Sequence, residues 1–319
     1  MRPAQSGIRP ALVIAGPTAS GKSALALAVA EEFGGTVVNA DSMQVYDTLR
    51  VLTARPSPAD EARVPHRLYG FLSPAVACSA ALWRDAAGGE MEAAWSAGRL
   101  PVVVGGTGLY LRSLMQGLSP IPEIPEPVRS DARAQLVELG NTAFHARLAE
   151  RDPVMAARLA PGNSQRLVRA WEVLEATGRS LAEWQAVPPV GGVAARWLTL
   201  ALLPPRQSLH AACNGRFRTM VAAGALDEVA ALLALGLAPA LPAMKALGVP
   251  ELAAHLAGRM TLDEAVAAAT QATRSYAKRQ VTWFRHQLPV DEEIPEQFSE
   301  SLPEHFFPKI RQHLLTEAE

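Results

Sequence analysis

The octapeptide Gly16-Pro17-Thr18-Ala19-Ser20-Gly21-Lys22-Ser23 matches the phosphate-loop pattern G-x-x-x-x-G-K-[ST] at every defined position. The two glycines let the backbone curl, so that several N–H groups converge on phosphate oxygens. Lys22 adds a positive charge, and the Ser23 hydroxyl can complete the coordination shell of a Mg²⁺ ion. All eight residues are therefore predicted to bind a polyphosphate group. The alternative is a glycine-rich turn with a coincidental Lys-Ser pair.

The segments around this loop alternate between strand and helix patterns. Residues 11–15 are an apolar run that ends at the loop and predicts a buried parallel strand, and residues 24–33 predict a helix. Further strands are predicted at 36–40 and 101–104, with a helix at 79–97 between them. This order is typical of an α/β protein with a doubly wound parallel sheet, here of the P-loop NTPase-like kind.

Proline clustering and helical periodicity divide the chain further. Prolines crowd residues 120–127, the pattern of residues 128–185 is helical throughout, and a strand pattern returns at 197–203. We therefore expect a core in two parts, residues 10–116 and 193–287, with an all-helical insertion at 117–192 between them. Residues 288–319 are expected to form a loosely docked C-terminal tail.

Composition and charge exclude several classes of protein. With 49% hydrophobic residues the chain is globular, and a net charge of −1 disfavours binding nucleic acid over the whole surface, although a local basic face is compatible with it. No apolar run approaches the ~20 residues of a membrane span. Residues 1–10 lack the apolar centre of a secretory signal, and Cys78 and Cys213 lack metal-ligand spacing. We expect a cytoplasmic protein with reduced thiols.

Asp41 follows the second predicted strand directly, and residues 105–107 follow the third. Ligands of doubly wound sheets bind beyond the carboxyl ends of the strands, so both positions should face the phosphate loop. Asp41 could serve only as a helix N-cap, but we favour a metal-binding or general-base carboxylate. No apolar strand runs into a second acidic residue of the kind that binds metal in ATPases.

Basic residues are concentrated near the C-terminal end of the predicted core. The stretch 265–290 contains Arg274, Lys278, Arg279 and Arg285 and no acidic residue. Because Arg274, Lys278 and Arg285 share one helical face, they could follow a phosphate backbone; a solvated face is the alternative. Gln165, Arg166 and Arg169 of the insertion could likewise contact phosphates or base edges, or could be ordinary helix-surface residues. The aromatic residues of the same stretch, Tyr276, Trp283 and Phe284, are expected in the core.

Together these stretches resemble the tRNA dimethylallyltransferases, also called tRNA isopentenyltransferases. The resemblance covers roughly residues 11 to 287 and rests most on two boxes, residues 41–46 (Asp-Ser-Met-Gln-Val-Tyr) and 276–285 (Tyr-Ala-Lys-Arg-Gln-Val-Thr-Trp-Phe-Arg). Matching stretches between and before these boxes are the phosphate loop and residues 53–56, 65–66, 105–110 and 165–170.

The resemblance implies a reaction. Members of this family join a dimethylallyl group, taken from dimethylallyl pyrophosphate, to N6 of adenine 37 beside the anticodon of tRNA, with Mg²⁺ as cofactor. By matching position, Asp41 is the implied general base, and Thr18 and Arg216 steady the departing pyrophosphate. The implied tRNA contacts are Asp41, Ser42, Met43, Gln44, Thr107, Arg129, Gln165, Arg166, Arg169, Arg274, Lys278, Arg279 and Arg285. We expect a monomer that receives an extruded adenine between core and insertion.

The sequence departs from the family pattern in three places. His66-Arg67 replaces a His-His pair, and Ala212-Cys213 replaces Arg-Ile ahead of Arg216. Residues 243–249 follow the pattern only loosely, so no tRNA contact is assigned to Lys245. The competing hypotheses are a small-molecule kinase, a transferase acting on free adenine nucleotides, and a non-catalytic RNA-binding protein with a relic phosphate loop.

Overall fold

A parallel sheet lies at the centre of the described chain, residues 8–316 of a computed structural model. Its strands are β1 (Arg9–Ala15), β2 (Gly35–Asn39), β3 (His66–Arg67), β4 (Leu100–Gly105), β5 (Ala195–Leu202) and β6 (Glu292–Ile294). Within the described residues they form one sheet in the order β3-β2-β4-β1-β5-β6, and every pairing is parallel. The predicted α/β class is confirmed. Residues 1–7, and with them most of the stretch predicted to lack a secretory signal, lie outside the described part.

Helices connect and cover the strands. They are α1 (Lys22–Glu32), α2 (Pro58–Arg63), α3 (Ala80–Ser96), α4 (Gly108–Gln116), α5 (Glu126–Arg151), α6 (Pro153–Arg158), α7 (Ser164–Thr177), α8 (Leu181–Ala186), α9 (Arg206–Ala222), α10 (Ala225–Ala234), α11 (Val249–Leu256), α12 (Leu262–Gln287) and α13 (Leu302–Leu315). A short 3₁₀ helix spans Ala243–Lys245. No helix in the described part of the chain has both the length and the apolar character that crossing a bilayer requires.

The central strand shows why the sheet forms. Residues 11–15 of β1 are fully buried, as expected for a parallel strand covered on both faces. Ala11, Val13 and Ala15 belong to one apolar cluster, and Leu12 and Ile14 belong to another. Because successive side chains of a strand point to opposite faces, this one apolar run supplies both halves of the core.

The chain divides into two compact units. Gln116–Gly192 forms one of them, and the described remainder forms the other. The smaller unit contains α5 to α8 and has its own core, in which Phe144 and Trp171 are buried with ring centroids 5.6 Å apart. Helix α5 is interrupted at Gly140, whose φ is 72°.

The C-terminal segment belongs to the larger unit, so the predicted loosely docked tail is wrong. Strand β6 extends the sheet beside β5, and the Leu203 N–H donates to the Ile294 carbonyl at 2.8 Å. Helix α13 packs on α1, with Leu302, Phe306 and Ile310 contributing to the core. Charge and proline dominate the composition, but apolar residues recur every fourth position and form a helical face.

We predict that Ile310→Ala destabilises the protein by about 2–5 kcal/mol, because Ile310 is fully buried and the truncation leaves a cavity. Urea denaturation measures the free energy of unfolding. Leu315→Ala on the same helix is the matched control, since Leu315 is 81% exposed. Equal, small losses for both variants would mean that α13 does not pack on the core.

Candidate active site

The phosphate loop adopts the open backbone that its sequence predicts. Ala19 and Gly21 have positive φ angles of 64° and 90°, so successive peptide groups turn around a common centre. Gly21 is the N-cap of α1, and no side chain among the described residues caps it. The first N–H groups of α1 therefore face the loop with the positive end of the helix dipole behind them.

Gln280 of α12 connects the phosphate loop to Gly106, which follows β4. The Thr18 N–H donates to Gln280 Oε1 at 2.8 Å, and Gln280 Nε2 donates to the Gly106 carbonyl at 2.7 Å. Gln280 is only 5% exposed, so its amide is held away from solvent. A Cβ at Gly106 would overlap Gln280 Nε2 and would lie 3.3 Å from the Gly16 carbonyl, which explains the glycine there. The sequence places Gln280 within a family motif but does not indicate this role.

Asp41 stands at the carboxyl end of β2, as predicted. Its N–H donates to Asn39 Oδ1 at 2.9 Å, and Asn39 Nδ2 donates to the Leu68 carbonyl at 3.0 Å, which fixes the backbone where the strand ends. Asp41 Oδ1 accepts from the Met43 N–H at 2.9 Å. The carboxylate therefore does cap the following turn, and the same group lines the cavity described below. The capping and chemical interpretations are compatible.

Two cations lie near Asp41. Lys22 Nζ donates to the Pro17 carbonyl at 3.3 Å, and Arg216 Nη1 donates to Thr18 Oγ1 at 3.2 Å. Burial lowers the pKa of Lys22 to about 8, while the charge of Asp41 raises it and that of Arg216 lowers it further. Burial also lowers the pKa of Arg216, and Asp41 again opposes the shift. Two partly desolvated cations beside a helix N-terminus favour a bound anion.

A cavity of ≈ 300 Å³ opens beside these groups. Its polar lining comes from Thr18, Asp41, Ser42, Thr53, Arg216, Lys245, Thr273, Tyr276 and Arg279. Its apolar lining comes from Met43, Leu52, Cys213, Phe217, Met220, Ala246 and Leu247. One space thus joins the Arg216 guanidinium and a carboxylate to an apolar wall, which suits a ligand with a charged end and a hydrocarbon end.

The apolar wall is held by Glu228 of α10. Its carboxylate accepts three backbone N–H bonds, from Arg50 at 2.9 Å, Val51 at 2.7 Å and Leu52 at 2.9 Å. Ionised acceptors make the stronger hydrogen bonds. Leu52 is consequently fixed in position at the cavity. Sequence reasoning missed Glu228, which carries no local signal because its partners are 176 to 178 residues away.

The predicted contacts of the Asp41 box behave differently from one another. Ser42 and Met43 line the cavity, and the Ser42 N–H donates to Thr107 Oγ1 at 2.9 Å, which brings Thr107 to the same place. Gln44 Nε2 instead donates to the Thr53 and Ala54 carbonyls, at 2.9 and 3.0 Å. Gln44 therefore shapes the loop that carries the lining residue Thr53.

Helix α12 carries the predicted basic residues. Arg274 Nε donates to Asn214 Oδ1 at 2.8 Å, and Lys278 is exposed. Arg285 Nη2 lies 3.9 Å from Glu293 Oε1. Residues 265–290 contain no acidic residue. The folded C-terminal segment nevertheless brings the acidic residue Glu293 to this face of α12. The sequence could not show that contact.

Two further cations reach the cavity. Arg279 of α12 lies over the ring of Tyr276, with Cζ 5.6 Å from the centroid, and both residues line the space. Lys245, to which the sequence assigns no tRNA contact, lines it as well. Of the aromatic residues predicted to be core, Phe284 is buried, whereas Trp283 is partly exposed and packs against Gly108. Tyr276 belongs to the cavity, and burial followed by the charge of Asp41 raises its pKa.

The remaining predicted contacts lie in the unit Gln116–Gly192. Gln165 and Arg166 are in the first turn of α7, where both are exposed. Arg169 is half-buried, with Nη1 3.5 Å from Glu172 Oε2. Arg129 is partly buried near the start of α5. Of these four predicted contacts, Gln165 and Arg166 are the two that are exposed.

Comparison with known proteins identifies the family. A model of the IPP transferase family matches residues 44–287, and a model described as isopentenyl transferase matches residues 10–70. The chain belongs to the IPP transferase family. Residue 287 is the last residue of α12, so both matches stop before β6 and α13.

Relatives and solved structures agree with this assignment. The chain is 65% identical to a tRNA dimethylallyltransferase of Paramagnetospirillum magneticum, over 96% of this chain and 98% of the relative, and 64% identical to one of Rhodospirillum centenum, over 88% and 90%. The crystal structure of the tRNA isopentenylpyrophosphate transferase of Bacillus halodurans superposes with a TM-score of 0.68 at 30% identity, covering 96% of this chain and 97% of that one. A eukaryotic dimethylallyltransferase acting on tRNA shares the fold, with a TM-score of 0.75 at 24% identity over 95% of this chain and 77% of its own.

We predict that the affinity of this IPP transferase family member for inorganic pyrophosphate falls as the pH rises through about 8, where Lys22 loses its proton. The charged form predominates below that pKa and attracts the anion, and the neutral form does not. Calorimetric titration on both sides of pH 8 measures this. Lys22→Met should bind weakly at every pH and lose that part of the pH dependence. If wild type and Lys22→Met show the same pH dependence, that dependence comes from protonation of pyrophosphate and not from Lys22.

Proposed function

We propose that this chain transfers a dimethylallyl group from dimethylallyl pyrophosphate to N6 of adenine 37 in tRNA and releases pyrophosphate. One observation carries the proposal: a single cavity joins Thr18 of the phosphate loop and its partner Arg216 to the Asp41 carboxylate. Membership of the IPP transferase family, and relatives named tRNA dimethylallyltransferase, support the same reaction.

The donor is proposed to bind through its pyrophosphate. The loop N–H groups and Lys22 would hold the phosphate oxygens, with Thr18 and Arg216 at the oxygen that leaves. As the bond from the allylic carbon to this oxygen breaks, negative charge grows on the pyrophosphate, and these donors stabilise it. The five-carbon chain would lie against the apolar lining that contains Leu52 and Phe217.

The acceptor requires a base. The N6 lone pair of adenine is drawn into the ring, so the amine must lose a proton as the new carbon–nitrogen bond forms. We propose that the Asp41 carboxylate accepts this proton, since it lines the cavity that also contains the leaving-group residues. The Met43 N–H holds the carboxylate in place before substrate binds, and the Asn39 contact fixes the Asp41 backbone.

A divalent cation fits this arrangement, and we propose Mg²⁺. Among residues 8–316 no group of three or more His, Cys, Asp or Glu side chains could hold a metal by itself. Magnesium usually takes few protein ligands and completes its shell with substrate phosphates and water. Ser23, exposed in the first turn of α1, would supply one oxygen. When bound, the ion would neutralise charge on the departing pyrophosphate.

The proposed acceptor is a base that has left the stack. N6 of a stacked adenine cannot enter a cavity of ≈ 300 Å³, so the nucleotide must be extruded. Ser42, Met43, Thr107 and Arg279 lie at or beside the cavity and are proposed to contact it. The exposed side chains of Lys278 on α12 and of Gln165 and Arg166 on α7 are proposed to contact the tRNA backbone.

Mass analysis of nucleosides tests the reaction. Unmodified tRNA incubated with the protein and dimethylallyl pyrophosphate should yield a nucleoside heavier by one five-carbon group, at the adenine next to the anticodon. Parallel reactions with ATP and small acceptors, and with the prenyl donor and free AMP, represent the two competing enzymes. Product in either parallel reaction and none on tRNA would overturn the proposal.

We predict that Asp41→Asn lowers single-turnover transfer about 10²- to 10⁴-fold, the usual contribution of a general base. The amide keeps the size of the side chain but cannot take the proton, so tRNA affinity should change little. Asp47→Asn, at an exposed carboxylate of the same segment, is the matched control and should react normally. Near-normal turnover of the Asp41 variant would refute its role.

We predict that replacing Lys278 and Arg285 with alanine weakens the binding of every tRNA, whatever its sequence, and reduces the salt dependence of binding. The log–log slope should fall by about one unit for each phosphate that the protein no longer neutralises. Lys278 should account for more of the change, because Arg285 already lies 3.9 Å from a carboxylate oxygen of Glu293. Replacing Lys309 and Arg311 of α13 serves as the charge-matched control. An unchanged slope would place the phosphate contacts elsewhere.

A further inference from the structure

The two residues Gln297 and Phe298 contact the phosphate loop. Gln297 Nε2 donates to the Ala19 carbonyl at 2.7 Å, and the Phe298 N–H donates to the Ser20 carbonyl at 3.4 Å. Phe298 also packs against Gly21, where an added Cβ would overlap the Phe298 side chain. These contacts come from a part of the chain beyond residue 287, where the family match ends.

The contacts are made at the strained part of the loop. Ala19 has a φ of 64°, a left-handed conformation that residues other than glycine seldom adopt unless their surroundings enforce it. The carbonyl that Gln297 binds belongs to this same residue. Gln297 is therefore placed to keep Ala19 in a conformation that it would otherwise leave.

Peptide geometry transmits these contacts to the anion site. In a trans peptide the C=O and the following N–H point in opposite directions. A Ser20 carbonyl held towards Phe298 therefore directs the Gly21 N–H away from that residue. The Ala19 carbonyl bonded to Gln297 fixes the next peptide group, whose Ser20 N–H donates to the Pro17 carbonyl at 3.3 Å. The two contacts thus hold the turn of the loop and set the direction of the Gly21 N–H, which would bind phosphate.

Both sides of the contact are firmly anchored. Before it, the Ile294 carbonyl accepts from the Leu203 N–H at 2.8 Å in the sheet. After it, Leu302 and Ile310 of α13 are buried in the core. Only two residues, 295 and 296, separate β6 from Gln297, so the side chain has little freedom to withdraw. The C-terminal segment can therefore act as a fixed support for the loop.

We propose that Gln297 and Phe298 are positioning residues that hold the phosphate loop in its anion-binding conformation and so determine affinity for the pyrophosphate of the donor. The identity of that donor rests on the function proposed above. Neither residue lines the cavity that contains Asp41. Their loss should weaken donor binding and leave the binding of tRNA unchanged.

Substitutions of Gln297 that keep its size provide the test. Gln297→Met removes the donor group, and Gln297→Glu replaces it with an acceptor that repels the Ala19 carbonyl. The KM for dimethylallyl pyrophosphate should rise about fivefold to tenfold for Met, as expected when one hydrogen bond is removed, and more for Glu, while the KM for tRNA stays at the wild-type value. Phe298→Ala should raise the donor KM alone in the same way.

Controls separate positioning from a general loss of structure. Gln312→Glu introduces the same charge on exposed α13 and should change neither KM. Thermal unfolding identifies variants that are simply destabilised. An unchanged donor KM in folded Gln297 variants would overturn the inference, and so would equal rises in the donor and tRNA KM values.

Binding of inorganic pyrophosphate to the full chain keeps the inference separate from the proposed function. Its Kd should increase in the order wild type, Gln297→Met, Gln297→Glu. If the wild-type protein transfers no prenyl group but the Kd follows this order, the proposed reaction fails and the positioning role stands. If transfer occurs and the Kd is the same for all three proteins, the positioning role fails.

Discussion

The side-chain amide of Gln280 joins the phosphate loop to the loop that follows β4, and the rest of the site depends on this connection. Parallel strands bring their carboxyl ends to one edge, but that topology alone provides no partner for the Thr18 N–H or the Gly106 carbonyl. One amide satisfies both, which avoids a cost of about 1–3 kcal/mol for each unpaired group. Helix α12 also carries Tyr276 and Arg279, so a single helix fixes the loop and lines the cavity beside it.

The sequence was sufficient wherever the signal was local. An apolar run that ends in a glycine loop predicted β1 and the start of α1 to within two residues. A strand buried on both sheet faces is apolar throughout, so its pattern is easy to recognise. The positions of Asp41 and Thr107 followed from strand order. The pairing of Arg216 with Thr18 did not, because 198 residues separate them and only the family resemblance connected them.

The sequence was least informative where a segment's average composition hid its pattern. Residues 288–316 are rich in charge and proline, yet three apolar side chains at four-residue spacing are enough to fix α13 on α1. Strand β6 has three residues, two of them glutamate, and becomes a strand because the open edge of β5 accepts it. Tertiary context overrides local propensity in both cases.

The carboxylate of Glu228 has a consequence for the energetics of ligand capture. By accepting three consecutive backbone N–H groups, it keeps residues 50–52 ordered before any substrate arrives. Fixing the backbone of a mobile residue opposes association by roughly 1–2 kcal/mol of conformational entropy. Since folding has already ordered this wall, an entering hydrocarbon chain meets a preorganised surface, and its desolvation contributes to affinity without that entropic penalty.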